Sequence, residues 1–226
     1  MAKIKYSALV SDMRGKLNGS VMSKNRSGSY VRNKVTPSNP QTAAQMLIRG
    51  IFSEITKGWS QLSEVERQSW ENSVEAYQGT NIFGDVVKPS GKTLFQKLNQ
   101  NLMISGQASV SVCPAPAELP YASLTSVTLE VADEDLVIVT AGNTTDCKLL
   151  VFATAPLTQG TKFVKNKLRK IGVFAGSDNY TNDVYGNYQT KFGNLALNDN
   201  VYVGIRVVNA SGQASPMEVV KIVTQA

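Results

Sequence analysis

The sequence predicts an α+β multidomain fold: an extended basic N-terminal arm with a β-hairpin, a small helical domain, and a C-terminal β-sandwich. Three observations predict it. Residues 1–38 are basic, polar and punctuated by glycine, with no helical stripe. Residues 40–77 carry apolar side chains at steps of three and four. From Leu119 onward the apolar period falls to two, and turn residues recur between short runs. The expected bounds are 1–38 for the arm, 39–104 for the helical domain, 105–120 for a proline-rich linker and 121–226 for the sandwich. A chain of 226 residues is long enough for two modest cores.

In the arm, GSVMSKNRSGSYVRNKV reads as a hairpin. One strand runs from Ser20 to Asn25, Arg26-Ser27-Gly28 turns, and Ser29–Val35 returns. A lone hairpin is marginal in water and needs a surface to join, on this chain or on a neighbour. The TPSNP stretch then breaks the chain before a helix.

The helical domain opens with Asn39 as the expected cap and Pro40 at the first helical position. Ala44, Leu47, Ile48, Ile51, Phe52, Ile55 and Trp59 form one stripe. Ser63 and Glu66 make a capping box, so a second helix begins at Glu64. Val65, Trp70, Val74 and Tyr77 are its expected buried face. So short a link implies an antiparallel pair. Ser90 caps a third helix near Gly91–Ile104, with Leu94, Phe95, Leu98 and Leu102 on one side. The expected helical core is Leu47, Ile51, Phe52, Ile55, Trp59, Trp70, Val74 and Phe95.

Beyond the PAPAELP spacer, alternation marks strands at 125–131, 136–141, 148–154, 168–174, 201–208 and 217–223. Turns are expected at Asp133–Asp135, Gly142–Asp146, Gly176–Asn182, Asn198–Asn200 and Ala210–Pro216. Six or seven short strands in about 105 residues indicate a sandwich. A basic segment, Lys162–Lys170, interrupts the pattern.

The chemistry points away from an enzyme. Histidine is absent, which removes the commonest general base and metal ligand and every His-containing triad. Cys113 and Cys147 are too few and too far apart for a disulfide framework. Gly91-Lys92-Thr93 looks like the end of a P-loop, but the required first glycine is Val86. Asp133, Glu134 and Asp135 read as a solvated turn. No catalytic, cofactor or metal residue is assigned, and no cofactor is expected.

Charge is unevenly placed. Residues 1–50 hold nine Lys or Arg against one acid, a net of +8; residues 51–112 and 113–226 are each at −1. Such an arm seeks nucleic acid or an acidic protein surface. The candidate interface residues are Lys24, Arg26, Tyr30, Arg32 and Lys34 in the arm, with Lys165, Lys167, Arg169 and Lys170 in the basic segment. No apolar run approaches a membrane span.

Two resemblances add to this reading. Val201–Val223, VYVGIRVVNASGQASPMEVVKIV, resembles the last two strands of a fibronectin type III or related immunoglobulin-like module, with Tyr202 pointing inward. The N-terminal half resembles a recurring module of tailed-phage virion proteins, especially of Bacteroidota and crAss-like phages. Gly19, Ser20, Asn25, Arg26, Gly28, Tyr30, Val31, Arg32, Pro37, Asn39, Pro40 and Thr42 carry the likeness. It continues in Trp59, Leu62, Arg67 and Trp70, within W-x-x-L-S-x-x-E-R-x-x-W, and ends with Ser90, Gly91, Phe95 and Asn99. The resemblance implies a non-enzymatic virion structural protein; one basic and one less basic face suit a homo-oligomeric ring subunit at the neck or tail, with a capsid decoration or head-surface protein as the alternative. Its implied partners are portal, tail or capsid proteins; the charge of residues 1–50, not the resemblance, gives a less favoured alternative, a nucleic-acid-binding protein acting through the basic arm. Since the first residues lack a signal-peptide core, assembly is expected in the host cytoplasm. A cell-surface adhesin, resting on the fibronectin-like domain, is disfavoured for the same reason.

Overall fold

A computed structural model describes residues 2–118, 121–130, 134–142, 146–176 and 181–224. Asp133 of the acidic cluster, Val131 at the end of an expected strand, the end of the expected linker at 119–120, and parts of the turns at 142–146 and 176–182 lie outside them. Among the described residues the chain is α+β, with four helices and several antiparallel sheets. It divides into two compact units, Met1–Leu94 and Phe95–Ala226.

In the first unit, β1 (Ala2–Lys3), β2 (Gly15–Leu17), β3 (Ser20–Asn25) and β4 (Gly28–Asn33) form one sheet in the order β1-β4-β3-β2. The arm thus supplies its own partners for the hairpin. Arg26 and Ser27 make a two-residue turn: Asn25 pairs with Gly28, whose φ of 100° suits glycine. Asn25 Oδ1 accepts the Ser27 N–H at 3.0 Å.

Helix α1 is Ala43–Gln61. It starts later than Asn39 because Thr42 and Gln45 form a reciprocal capping box, and Gln41 before them has a φ of 50°. Helix α2 is Glu64–Asn72, with Ser63 and Glu66 as its capping box. A 3₁₀ turn, Ser73–Tyr77, extends it. The first half of α1 is uncovered, with residues 43–50 all exposed, whereas Ile55 in its second half and Trp70 of α2 are buried. A short joint connects the two helices. Leu62 and Ser63 are both extended, with ψ of 142° and 162°, and Arg67 Nη2 donates to the Ser60 carbonyl at 2.8 Å across it.

This changes the expected core. Ile55, Trp70, Val74 and Phe95 are buried, whereas Ile51 and Trp59 are half-buried. Leu47 is 58% exposed and Phe52 47%, so neither is core; Val65 is also exposed. β5 (Gly79–Thr80) and β6 (Val86–Val87) form a small hairpin before α3, Gly91–Ile104. Gly91 is explained by packing: a Cβ there would lie 3.0 Å from the Glu71 backbone nitrogen and 2.7 Å from its carboxyl carbon.

The unit boundary falls inside α3, not after residue 104. Within the second unit, Asn101 Nδ2 donates to the Gly212 carbonyl at 2.8 Å. Buried Asn99 holds the backbone of Val110 by both ends of its amide. The chain expected to be a proline-rich linker is held at Val110, and again where the Ala117 N–H donates to Gln213 Oε1 at 3.2 Å.

Seven strands follow among the described residues. β7 (Ser123–Glu130), β8 (Asp135–Ala141) and β11 (Thr181–Asp183) form a sheet in the order β11-β8-β7. β9 (Lys148–Ala153), β10 (Arg169–Ala175), β12 (Asn200–Val208) and β13 (Glu218–Val223) form another, ordered β10-β9-β12-β13. Leu129, Leu136 and Ile138 from the first, with Leu149, Val151, Val203 and Ile205 from the second, share one buried cluster. Each such side chain is worth about 1.5–3 kcal/mol when fully buried.

Helix α4, Tyr185–Phe192, was not expected from the sequence pattern; its Tyr185 and Tyr188 complete that cluster. Tyr202 also departs from expectation. Val201, Val203, Ile205 and Val207 of β12 face the cluster, so by strand alternation Tyr202 points away from it. Its hydroxyl donates to the Thr161 carbonyl at 2.6 Å.

Candidate assembly surfaces

The first unit presents an apolar surface and a basic one. On α1, Met46 (51% exposed), Leu47, Ile48 (37%) and Phe52 leave the N-terminal half of the stripe uncovered, while Ile55 further along is buried. A helix with an apolar stripe normally buries it. Here only the C-terminal half finds cover in its own chain.

Strand register separates the predicted arm residues. Val21 pairs with Arg32 and Ser23 with Tyr30, so Tyr30 and Arg32 share a face. Lys24 pairs with Ser29 and lies on the other face with Met22 and Val31. Arg26 sits in the turn, and Lys34 follows β4, its N–H donating to the Gly19 carbonyl at 2.8 Å. Lys24 lines a cleft of about 530 Å³ with Lys3, Lys5 and Phe83. At its edge Lys5 pairs with Asp85 at 3.1 Å and lies 5.2 Å from the Phe83 ring centre. Hydrogen bonds from Asn81 and Lys5 hold the Asp85 carboxyl below its ordinary pKa. Both partners are exposed, so this contact orients more than it stabilises.

In the second unit the basic residues split by use. Lys165 and Lys167 are exposed and form no ion pair among the described residues. Arg169 is exposed, but its Nη1 donates to the carbonyls of Asn166 at 2.8 Å and Leu168 at 3.0 Å. Lys170 is turned inward: Nζ donates to the Ile104 carbonyl at 3.1 Å. Burial, and then the charge of Lys191, lower its pKa. Lys170 is thus a tie between β10 and the end of α3, in place of the interface role expected of it.

Phe163, 69% exposed beside these lysines, was missed. The available signal was Val164 and Leu168, four apart, which a single helical turn buries together while turning Phe163 outward.

Among the described residues no group of three His, Cys, Asp or Glu side chains is placed to hold a metal ion. No described helix is long and apolar enough to cross a membrane. Cys113 and Cys147 form no disulfide among the described residues, and burial, with the nearby Asp146, raises the pKa of Cys147. No protein-family model matches the chain, and no curated protein matches it.

Proposed function

We propose that this chain is a non-enzymatic, self-assembling structural subunit of a tailed-phage virion, working as a ring component at the neck or tail. The observation that carries the assembly reading is the bare half of α1. Leu47 and Phe52 are about half exposed, which forgoes roughly 1 kcal/mol for each side chain, and a neighbouring copy recovers it. Contiguous apolar exposure of this kind marks interaction sites. The sheet formed by residues 2–33 offers a basic second face, and a head-to-tail ring needs two different faces. Its place in a virion rests on the likeness of residues 19–99 to virion modules.

The second unit is read as the fibronectin type III-like β-sandwich that the ring carries. Two antiparallel sheets sharing one core support this reading. Helix α4 and the outward Tyr202 are departures from the simple module.

Sedimentation velocity of the intact chain over a hundredfold concentration range tests the assembly reading. Wild type is expected to form higher oligomers, and Leu47→Glu/Phe52→Glu to remain monomeric with the melting temperature that wild type shows at its lowest, monomeric concentration. A wild-type chain that stays monomeric throughout defeats self-assembly. Copy number and location in purified particles separate a neck or tail ring from a capsid decoration.

A further inference from the structure

The segment Thr161–Lys170 is a rigid basic knuckle built to display one aromatic ring. Val164 and Leu168 are its anchors, 7% and 8% exposed. The N–H groups of Lys167 and Leu168 both donate to the Val164 carbonyl, at 2.9 and 3.2 Å, closing one helical turn. Tyr202 pins its start through the Thr161 carbonyl, and Arg169 braces its end through the carbonyls of Asn166 and Leu168. With the anchors turned in, Lys162, Phe163, Lys165 and Lys167 are turned out.

Two features of this display point to a ligand. Phe163 gains nothing by standing in water between lysines. The whole stretch from Lys148 to Ser177 contains six Lys or Arg and no Asp or Glu. Lys162, Lys165 and Lys167 form no ion pair among the described residues, so their charge is available to an outside anion.

We propose that this knuckle is a contact for single-stranded nucleic acid, with Phe163 as a stacking platform for one base and Lys162, Lys165 and Lys167 as contacts for the flanking phosphates. A positively charged track with an exposed aromatic face is the common design of such sites. Duplex bases are already stacked and leave the ring nothing to bind. An acidic peptide would use the lysines and leave the ring idle. The turn fixes the backbone that carries Lys165 and Lys167. This surface belongs to the second unit and does not depend on the assembly reading.

The test is fluorescence anisotropy of a labelled 20-nucleotide thymidine strand titrated with the intact chain between 50 and 200 mM salt. Phe163→Ala is expected to weaken binding roughly five- to hundredfold without changing the salt slope, and Phe163→Trp to retain it. Lys162→Gln/Lys165→Gln/Lys167→Gln should lower the salt slope by about 2. The matched arm variant Lys24→Gln/Arg26→Gln/Arg32→Gln should lower total affinity but keep the dependence on Phe163. Phe163→Ala binding as tightly as wild type overturns the proposal. So does equal binding of a 20-base-pair duplex, or displacement of the strand by an equimolar 20-residue polyglutamate, which would assign the knuckle to an acidic protein.

Discussion

Asn99 and Val110 hold each other through a closed pair of hydrogen bonds: the Val110 N–H donates to Asn99 Oδ1 at 2.7 Å, and Asn99 Nδ2 donates to the Val110 carbonyl at 3.1 Å. The same Nδ2 also donates to the Phe95 carbonyl at 3.1 Å, so the fully buried amide leaves no polar atom without a partner. Replacing it with Leu keeps the bulk and strands both backbone groups of Val110. The expected cost is about 2–4 kcal/mol, read as a lower denaturant midpoint. Asn99→Asp should not rescue it, because a carboxylate cannot donate to the two carbonyls.

Gly212 and Gly106 form a controlled comparison. Both have positive φ, 77° and 73°. A Cβ on Gly106 meets open space, whereas one on Gly212 would lie 2.4 Å from the Leu98 carbonyl oxygen. Gly106→Ala should cost about 1–2 kcal/mol, from left-handed backbone alone. Gly212→Ala should cost clearly more, since main chain must move. Thermal unfolding of the two variants side by side measures the difference; equal losses would show that the turn yields freely.

Neighbouring positions on the α1 stripe should respond oppositely. Ile55 is 3% exposed, so Ile55→Ala should cost about 2–5 kcal/mol. Phe52→Ala should leave monomer stability within about 0.5 kcal/mol and act on association instead. Calorimetry at low concentration, paired with sedimentation, separates the two effects.

Tyr188 is fully buried and its hydroxyl donates to the Thr154 carbonyl at 3.0 Å. Burial first, then the charges of Asp199 and Tyr185, push its pKa up. The folded state therefore keeps a proton that the unfolded chain releases near pH 10. Tyr188 contributes fully below that pH, and its contribution is lost as pH rises above it toward the folded value. Tyr188→Phe should cost about 1 kcal/mol at pH 7. The gap to wild type should narrow above pH 10 in denaturant titrations; a constant gap would refute the shift.

Local signals were legible in the sequence where one short pattern decides the outcome. Ser63 and Glu66 start α2 as their spacing says, and the six expected strand runs of the second unit lie within two residues of their bounds among the described residues, whereas β11 begins where a turn was expected. Thr42 was overlooked because Pro40 looked like the stronger start, although Gln45 completes the better cap. Periodicity gave α1 its stripe but does not say what covers it, so Leu47 and Phe52 read as core. Tyr202 was misplaced because most of its neighbours in β12 are buried on both faces, which erases the alternation that sets inward from outward. Helix α4 has Val184, which cannot cap, at its N-cap position, its first N–H being taken by Asp183 Oδ1 instead, and it offers little beyond Tyr185 and Tyr188 as a stripe. Of the candidate surfaces, the lysines were visible by charge, whereas the inward turn of Lys170 depends on the carbonyl of Ile104, 66 residues away.

The joint at Leu62–Ser63 has a consequence in time. With no helix laid along it, the first half of α1 is held by the Thr42–Gln45 cap and its own backbone bonds, and short helices so held are marginal in water. Its amides should exchange with solvent fastest among the helices, and slow sharply once neighbours assemble. Order in that segment would then be a clock, reporting when a subunit has stopped being free.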